Sequence, residues 1–359
     1  MGRINNIYRF IIILFVGLFA TNTVLAKGSD VPSNELDVKT IVLEHIGDSY
    51  GWHIVTVWDK HITLPLPVIV KSTDNGWNIF LSDKLEYGAD YNGFYISEQD
   101  PYKGKIVEKN SSGIELRPQL DISITKNTLA IIINSLILLF VVLYTAKWYK
   151  TRPNEVPPGV RGAMEILIEN IYEEVVKPCI GEDYRRYAPY LLTVFFFIFI
   201  NNLMGLIPIF PGGANTTGNI AITLVLALFT FFAVNFFGTK EYWKEIIWPE
   251  IPVWLKFPLP IMPVLEVFGI ITKPFALMIR LFANIMAGHS VIVSLVCVIF
   301  ITVYMGVAAN YSISAIMIVF SIFMNFIELL VAFIQAYVFT MLSAVFIGLS
   351  RVKKEKIHN

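Results

Sequence analysis

The spacing of apolar positions changes several times along the chain, and each change predicts a different element. From residue 27 to about 126, apolar and polar residues alternate in short runs such as Trp52-His-Ile-Val-Thr-Val-Trp58 and Trp77-Asn-Ile-Phe-Leu81, broken by Pro65, Pro67, Asn75-Gly76 and Asn92-Gly93. Alternation in strand-favouring residues between turn formers predicts a small β-rich domain. Thr128 to Tyr144 is then continuously apolar and is followed by Lys147, Lys150 and Arg152. This predicts a first membrane helix whose C-terminal end is cytoplasmic. Arg161 to Val176 places Met164, Leu167, Ile168, Ile171 and Val175 at helical spacing with glutamates between them. It predicts an amphipathic helix at the cytoplasmic membrane face or against a partner.

Tyr190 to Phe210 and Ile220 to Phe237 predict a second and a third span, joined by a Gly-rich loop, with Asn215 opening the third. Asn201 and Asn202 inside the second span are expected to hydrogen-bond between helices. A loop containing Lys240, Lys244, Trp243 and Trp248 reaches Pro263 on the cytoplasmic side. Two long apolar stretches follow, 44 residues from Val264 to Val307 and 39 from Ser312 to Ser350. A perpendicular crossing takes about 20 residues. No turn cluster interrupts either stretch, and Gly306 to Ser312 separates them, so a long oblique helical hairpin is expected. The basic residues Arg351, Lys353 and Lys354 put the 351–359 tail in the cytoplasm. The expected fold is an all-α polytopic membrane protein with about five crossing helices, plus a small β-rich exported N-terminal domain.

Composition agrees with that division. Of 359 residues, 55% are hydrophobic and 16% charged, and the mean hydropathy of +0.61 exceeds that of ordinary soluble domains. Residues 27–126 carry 15 acidic against 10 basic residues, the balance of a soluble module. Residues 1–26 join a basic start (Arg3, Arg9) to a short apolar run ending in Val24-Leu25-Ala26, which predicts a signal peptide cleaved after Ala26, with an uncleaved anchor as the alternative. The formal net charge of zero offers no argument for nucleic acid. Cys179 and Cys297 are assigned to a loop and a span, which excludes a disulfide or cysteine metal cluster between them. His45, His53 and His61 match no metal-ligand spacing, no cofactor is implied, and there is no Gly-rich phosphate loop.

One stretch carries the chemistry. Glu266, Lys273, Arg280, Asn284 and His289 lie within a membrane-length apolar run, where ionisable groups cost a few kcal/mol each unless they face protein or a hydrated cavity. On a helical wheel Lys273 falls about 20° from Arg280, and Glu266 and Asn284 each about 40° away. His289 falls on the opposite side. Glu328 and Gln335, seven residues apart, share one face of the last helix. A permanently charged guanidinium can hold and release a carboxylate that slides past it, whereas His289 and Glu328 can exchange protons. The structural alternative is that Arg280 pairs with Glu266 or Glu328 and simply anchors the bundle.

These residues, Lys273-Pro-Phe-Ala-Leu-Met-Ile-Arg280-Leu-Phe-Ala-Asn284-Ile-Met-Ala-Gly-His289 with Glu328 and Gln335-Ala-Tyr-Val-Phe, closely resemble subunit a of the membrane sector of bacterial F-type ATP synthases. The resemblance covers about residues 127 to 350. It implies a non-catalytic, proton-translocating stator subunit in the inner membrane, with two aqueous half-channels that meet the carboxylates of a rotating c-subunit ring. Further implied partners are the b-subunit peripheral stalk, other ATP synthase subunits and membrane lipid. By position, Arg280 matches the family's essential arginine, and Asn284 and Gln335 match its polar neighbours. His289 and Glu328 match residues of one access channel, and Glu266 and Lys273 match positions toward the cytoplasmic exit. Domain 27–126 is longer than in familiar members, and the resemblance assigns it no role. A self-contained transporter would instead show inverted repeats and broken helices, neither of which is visible, and a non-conducting scaffold would not need Arg280.

Overall fold

The structure, a computed structural model, describes residues 38, 42–43, 46–57, 60–72, 76–97, 99, 101–109, 115–152, 154–207, 210–247 and 261–351. The expected signal peptide, His45 and the tail beyond Arg351 lie outside the described residues. Eight strands come first: β1 (Gly51–Val57), β2 (Lys60–Pro65), β3 (Pro67–Ser72), β4 (Gly76–Leu81), β5 (Phe94–Ile96), β6 (Ile106–Lys109), β7 (Glu115–Leu116) and β8 (Leu120–Asp121). They form a β1-β2 hairpin and two three-stranded antiparallel sheets, ordered β4-β3-β8 and β5-β6-β7. Along β3 the alternation has its expected effect: Val68 and Val70 are buried, and Ile69 between them is half-exposed. Val68 and Val70 pack with Tyr50, Phe80, Leu85, Phe94 and Ile106 into the domain's core.

At the edge of this core, the Tyr50 hydroxyl donates to Asp121 Oδ2 at 2.6 Å, and Arg117 Nη2 donates to the same oxygen at 3.3 Å. Burial, reinforced by the neighbouring carboxylate, pushes the Tyr50 phenol up to about 12. For Asp121, burial opposes ionisation, but the hydrogen bonds from Tyr50 and Ser123 and the Arg117 charge outweigh it and hold the carboxyl below its usual range. A carboxylate whose folded pKa is lowered contributes stability above its unfolded pKa and loses it as pH falls through the folded one. Asp121→Asn is therefore expected to destabilise the domain by about 1–3 kcal/mol at neutral pH. In thermal melts of the full chain in detergent, the gap between Asp121→Asn and wild type should close as the medium is acidified below the carboxylate range.

Helices make up most of the remaining described residues. α1 (Lys126–Thr151) starts at Thr125, whose hydroxyl caps Thr128 N, and runs two turns beyond the expected Tyr144 because the Lys147 to Lys150 segment stays helical. α2 (Val160–Asn170) leads into a π-helical turn (Ile171–Val176) and a last turn (Lys177–Ile180). Pro178 has no N–H to give the regular ladder, a local cause for such a break. The expected single amphipathic helix is thus broken. Its apolar face packs within the chain, with Met164, Ile171, Val175 and Val176 joining the main core. Arg161 lies 3.9 Å from the centre of the Tyr144 ring and 4.3 Å from that of Trp148, clasping α2 to the end of α1.

α3 (Tyr184–Leu206) begins six residues earlier than expected and ends before Phe210. α4 (Ile220–Phe236) is capped by Asn219, whose Oδ1 accepts from Ala221 N at 3.0 Å. Asn215 does not open this helix but belongs to the loop before it. The presumed loop after α4 contains α5 (Lys240–Ile247), bent 98° from α4. α6 (Ile261–Ile301, 41 residues) and α7 (Val307–Ser350, 44 residues) form the long hairpin. At 1.5 Å per residue they measure about 60 and 66 Å, roughly twice the hydrocarbon thickness of a bilayer. The turn is tighter than expected: a short 3₁₀ segment, Thr302–Met305, and then Gly306 at φ 97°, a conformation that suits glycine. Residues 307 to 312 already belong to α7, and Asn310 Oδ1 accepts a bond from Thr302 back across the turn at 3.0 Å.

Among the described residues four helical stretches are long and apolar enough to cross a membrane, and a fifth if α4 and α5 count as one bent span. The chain is a polytopic membrane protein. Lipid is as apolar as leucine, so such a bundle is held by close packing and interhelical hydrogen bonds. Asn134 of α1 donates to Asn201 Oδ1 at 3.0 Å, and Asn202 donates to the Ala332 carbonyl of α7 at 3.2 Å. Thr216 and Thr217 close on the same two asparagines, at 3.1 and 2.6 Å. The expected interhelical role of this pair is therefore what the structure contains. At the other end, Arg351 pairs with Asp183 before α3 and donates to the Phe237 carbonyl, and Thr239 N donates to the Ser350 carbonyl at 2.9 Å.

Candidate functional site

α6 has two faces with different surroundings. Leu277, Leu281 and Ile285, spaced four apart, are buried in the core with Met278 beside them. Lys273, Arg280 and Asn284 are exposed and Glu266 is half-buried, along the stripe the helical wheel describes. Among the described residues Arg280 forms no ion pair, either with Glu266 or with Glu328. The anchoring alternative therefore has no support in the geometry. Lys273 lies beside a small cleft with Tyr242, its ammonium 5.9 Å from the Phe346 ring. Around the stripe α6 exposes Phe268, Ile271, Phe275 and Ile279, and α7 exposes Val319, Phe323, Phe326 and Leu330. So large an apolar surface with one guanidinium in it requires lipid or a protein partner as cover.

Half a turn round α6, His289 faces inward. Its Nδ1 lies 3.2 Å from Glu328 Oε1, joining two residues 39 positions apart. The Glu328 side chain is only 4% exposed and that of His289 17%. Beyond the histidine contact, neither carboxylate oxygen has a hydrogen-bond partner among the described residues. Gln335, two turns along the same face of α7, is also buried, and Ala332 and Ala336 around it let the neighbouring helices approach.

The pair borders a cavity of about 220 Å³ whose lining includes Ile46, Gly205, Asn215, His289, Asn325 and Glu328. One water requires roughly 10–15 Å³, so the space holds several. Asn215 is buried and its amide nitrogen has no partner among the described residues. Asn215 and Glu328 line this one cavity together. A buried carboxylate with spare acceptors, a histidine in contact with it and a neutral donor across a water-sized space can pass a proton.

Gly288 makes room for the acid, whereas a side chain at Gly205 would meet the histidine at ordinary contact distance. A Cβ on Gly205 would sit 3.5 Å from His289 Nε2, and one on Gly288 would sit 2.9 Å from Glu328 Oε1 and 3.3 Å from its Cγ. Gly288→Ala is therefore expected to force Glu328 away from His289 and slow ion conduction several-fold with the bundle still assembled. Shortening the acid as well, in Gly288→Ala/Glu328→Asp, should restore part of the rate in the same vesicle assay. Asn215, Gly205 and Gly288 were not among the sequence candidates. The sequence marks Asn215 only as the opening of the third span, and Gly288 precedes His289 with no signal of its own.

The family described as "ATP synthase A chain" matches residues 128–348, which include all of these groups except Ile46. A second family, described as "Domain of unknown function (DUF8433)", matches residues 41–128. Among similar proteins, "ATP synthase subunit a" of Chlorobium phaeobacteroides (strain BS1) is 46% identical over 239 residues, 64% of this chain and 66% of that protein. "ATP synthase subunit a" of Chloroherpeton thalassium (strain ATCC 35110 / GB-78) is 40% identical over 237 residues, 64% of this chain and 67% of that one. "ATP synthase subunit a" of Anaeromyxobacter sp. (strain Fw109-5) is 33% identical over 336 residues, 90% of this chain and 73% of that one. The match to the Chlorobium protein thus spans just under two thirds of its length. With a family match over most of the chain and the identities reaching 46%, the chain belongs to the ATP synthase A chain family.

Proposed function

We propose that the chain is the proton-translocating stator subunit of an F-type ATP synthase, coupling ion flow to rotation of a c-subunit ring. The observation that carries this reading is the division of α6: an exposed, unpaired Arg280 on one face and an inward His289–Glu328 pair at a cavity on the other. Arg280 meets the ring carboxylates, opens each ion pair in turn and blocks direct leakage, with Asn284 and Gln335 as polar neighbours. His289 and Glu328 serve one aqueous half-channel. Glu266 and Lys273, at the opposite end of the stripe, serve the other. Both members of the inward pair exchange protons, which favours protons over sodium as the coupling ion.

The chain makes no ATP itself and works with the ring, a b-subunit stalk and the remaining subunits. It sits in the bacterial inner membrane, with domain 27–126 on the periplasmic side after a signal peptide at 1–26, membrane domain 127–350, and tail 351–359 in the cytoplasm. Contacts at opposite ends of α3 support that arrangement: the β-rich domain adjoins the loop after α3, whereas Arg351 adjoins the start of α3. The test is ATP-driven proton pumping by inverted vesicles carrying Arg280→Ala; normal coupled pumping would overturn the proposal. Purification of the tagged chain should also bring down a small two-helix proteolipid with one midmembrane carboxylate.

A further inference from the structure

The β-rich domain has no role in the mechanism so far, yet Ile46, just before its first strand, reaches the proton cavity. Ile46 is 5% exposed and forms part of the cavity lining, next to the loop that supplies Asn215. The segment that follows is tied to the helices at three points. Asp48 Oδ1 accepts from Asn127 N at 3.0 Å, and Lys126 N donates to the Ser49 carbonyl at 2.9 Å. Trp52 is buried against Ala130 of α1 and Ala214 of the loop, and its ring meets Phe210 edge-on at 5.1 Å between centres. Asp48 is thus committed to backbone donors, and an apolar side chain is what this segment offers the cavity.

We propose that residues 46–52 of the β-rich domain form a fixed wall of the access cavity, with Ile46 narrowing the route to Glu328 and His289 and Trp52 holding the loop that positions Asn215. The domain is then a structural part of the ion path in this chain. The inference rests on the reading of Glu328 and His289 as a proton path. Two features of the geometry favour a wall over a passing contact. The wall and the loop share one apolar cluster, so moving either disturbs the other. The backbone bonds to Asn127 and Lys126 also leave the segment little freedom to swing away from α1.

The test places charge and bulk at position 46 in the whole ATP synthase complex and measures passive proton conduction across a pH series. Across the cavity the titratable groups are His289 on α6 and Glu328 on α7; Asn215 in the loop and Asn325 on α7 are neutral, and Asp48 and Lys126 lie behind the wall. With Ile46→Lys a cation beside the pair should move the pH of half-maximal conduction down, and with Ile46→Glu an anion should move it up. Mere damage to packing would move both variants alike, so equal or absent shifts in assembled complexes overturn the proposal.

Should either charged variant fail to assemble, the neutral pair decides. Ile46→Phe is expected to slow conduction several-fold while Ile46→Ala does not, and equal conduction in the two overturns the wall. Glu328→Gln is run alongside: if it conducts normally the underlying proton-path reading fails, and if it blocks conduction while position 46 is indifferent only the wall fails.

Discussion

Vesicles carrying Arg280→Ala are expected to lose ATP-driven proton pumping altogether while their passive proton leak rises. The exposed guanidinium has no partner among the described residues, so its charge is available to a carboxylate on a moving neighbour. At about 4 Å and an effective dielectric constant near 20, such a pair is worth about 4 kcal/mol. A charge crossing the full membrane field gains about 2.3 kcal/mol per 100 mV. Under the proposed function, the arginine acts on the same scale as the driving force and can decide at which angle a ring carboxylate rests. Removing 4 kcal/mol at the rate-limiting passage corresponds to about a thousand-fold in rate. Arg280→Lys keeps the charge but loses the rigid fork of donors, and should also uncouple, though with less leak. Because Arg280 is exposed, both variants should assemble at wild-type levels by subunit co-purification.

Glu328→Gln is expected to slow both passive conduction and ATP-driven pumping more than about tenfold, the scale of losing one positioned proton-exchange group. Volume is preserved, so the close approach to Gly288 is undisturbed. Stability should move the other way, because a carboxylate that is 4% exposed and has a histidine as its one polar contact among the described residues is costly to bury. A variant that assembles at least as well as wild type yet conducts poorly separates a proton-path role from a packing role. His289→Gln should slow conduction less, since Glu328 itself is kept at the cavity wall. Comparison of the two rates in the same vesicles checks that order.

Much of the site is legible from local periodicity. The phase of residues along one helix depends only on the backbone repeat, so the Arg280 stripe, the opposite placement of His289 and the shared face of Glu328 and Gln335 follow from counting. The apolar run lengths likewise predict the long hairpin, because about 40 uninterrupted residues leave no place for a turn inside either arm. Alternation in Trp52–Trp58 and Trp77–Leu81 predicts a β-rich module before the first membrane helix.

Tertiary structure decided what counting cannot reach. Which helix face meets which depends on packing between segments far apart in sequence, and no local period encodes it. Only the fold brings His289 within 3.2 Å of Glu328, and only the fold moves Asn215 from a helix start to a cavity wall. The 98° bend after α4 likewise joins two helices whose relative direction no local period encodes. The approach of Ile46 to a membrane cavity is the clearest instance. An isoleucine before a β-hairpin carries no mark of an ion path, and its place is set by bonds from Asp48 and Ser49 to the first turn of α1 and by the seat Trp52 finds on Phe210.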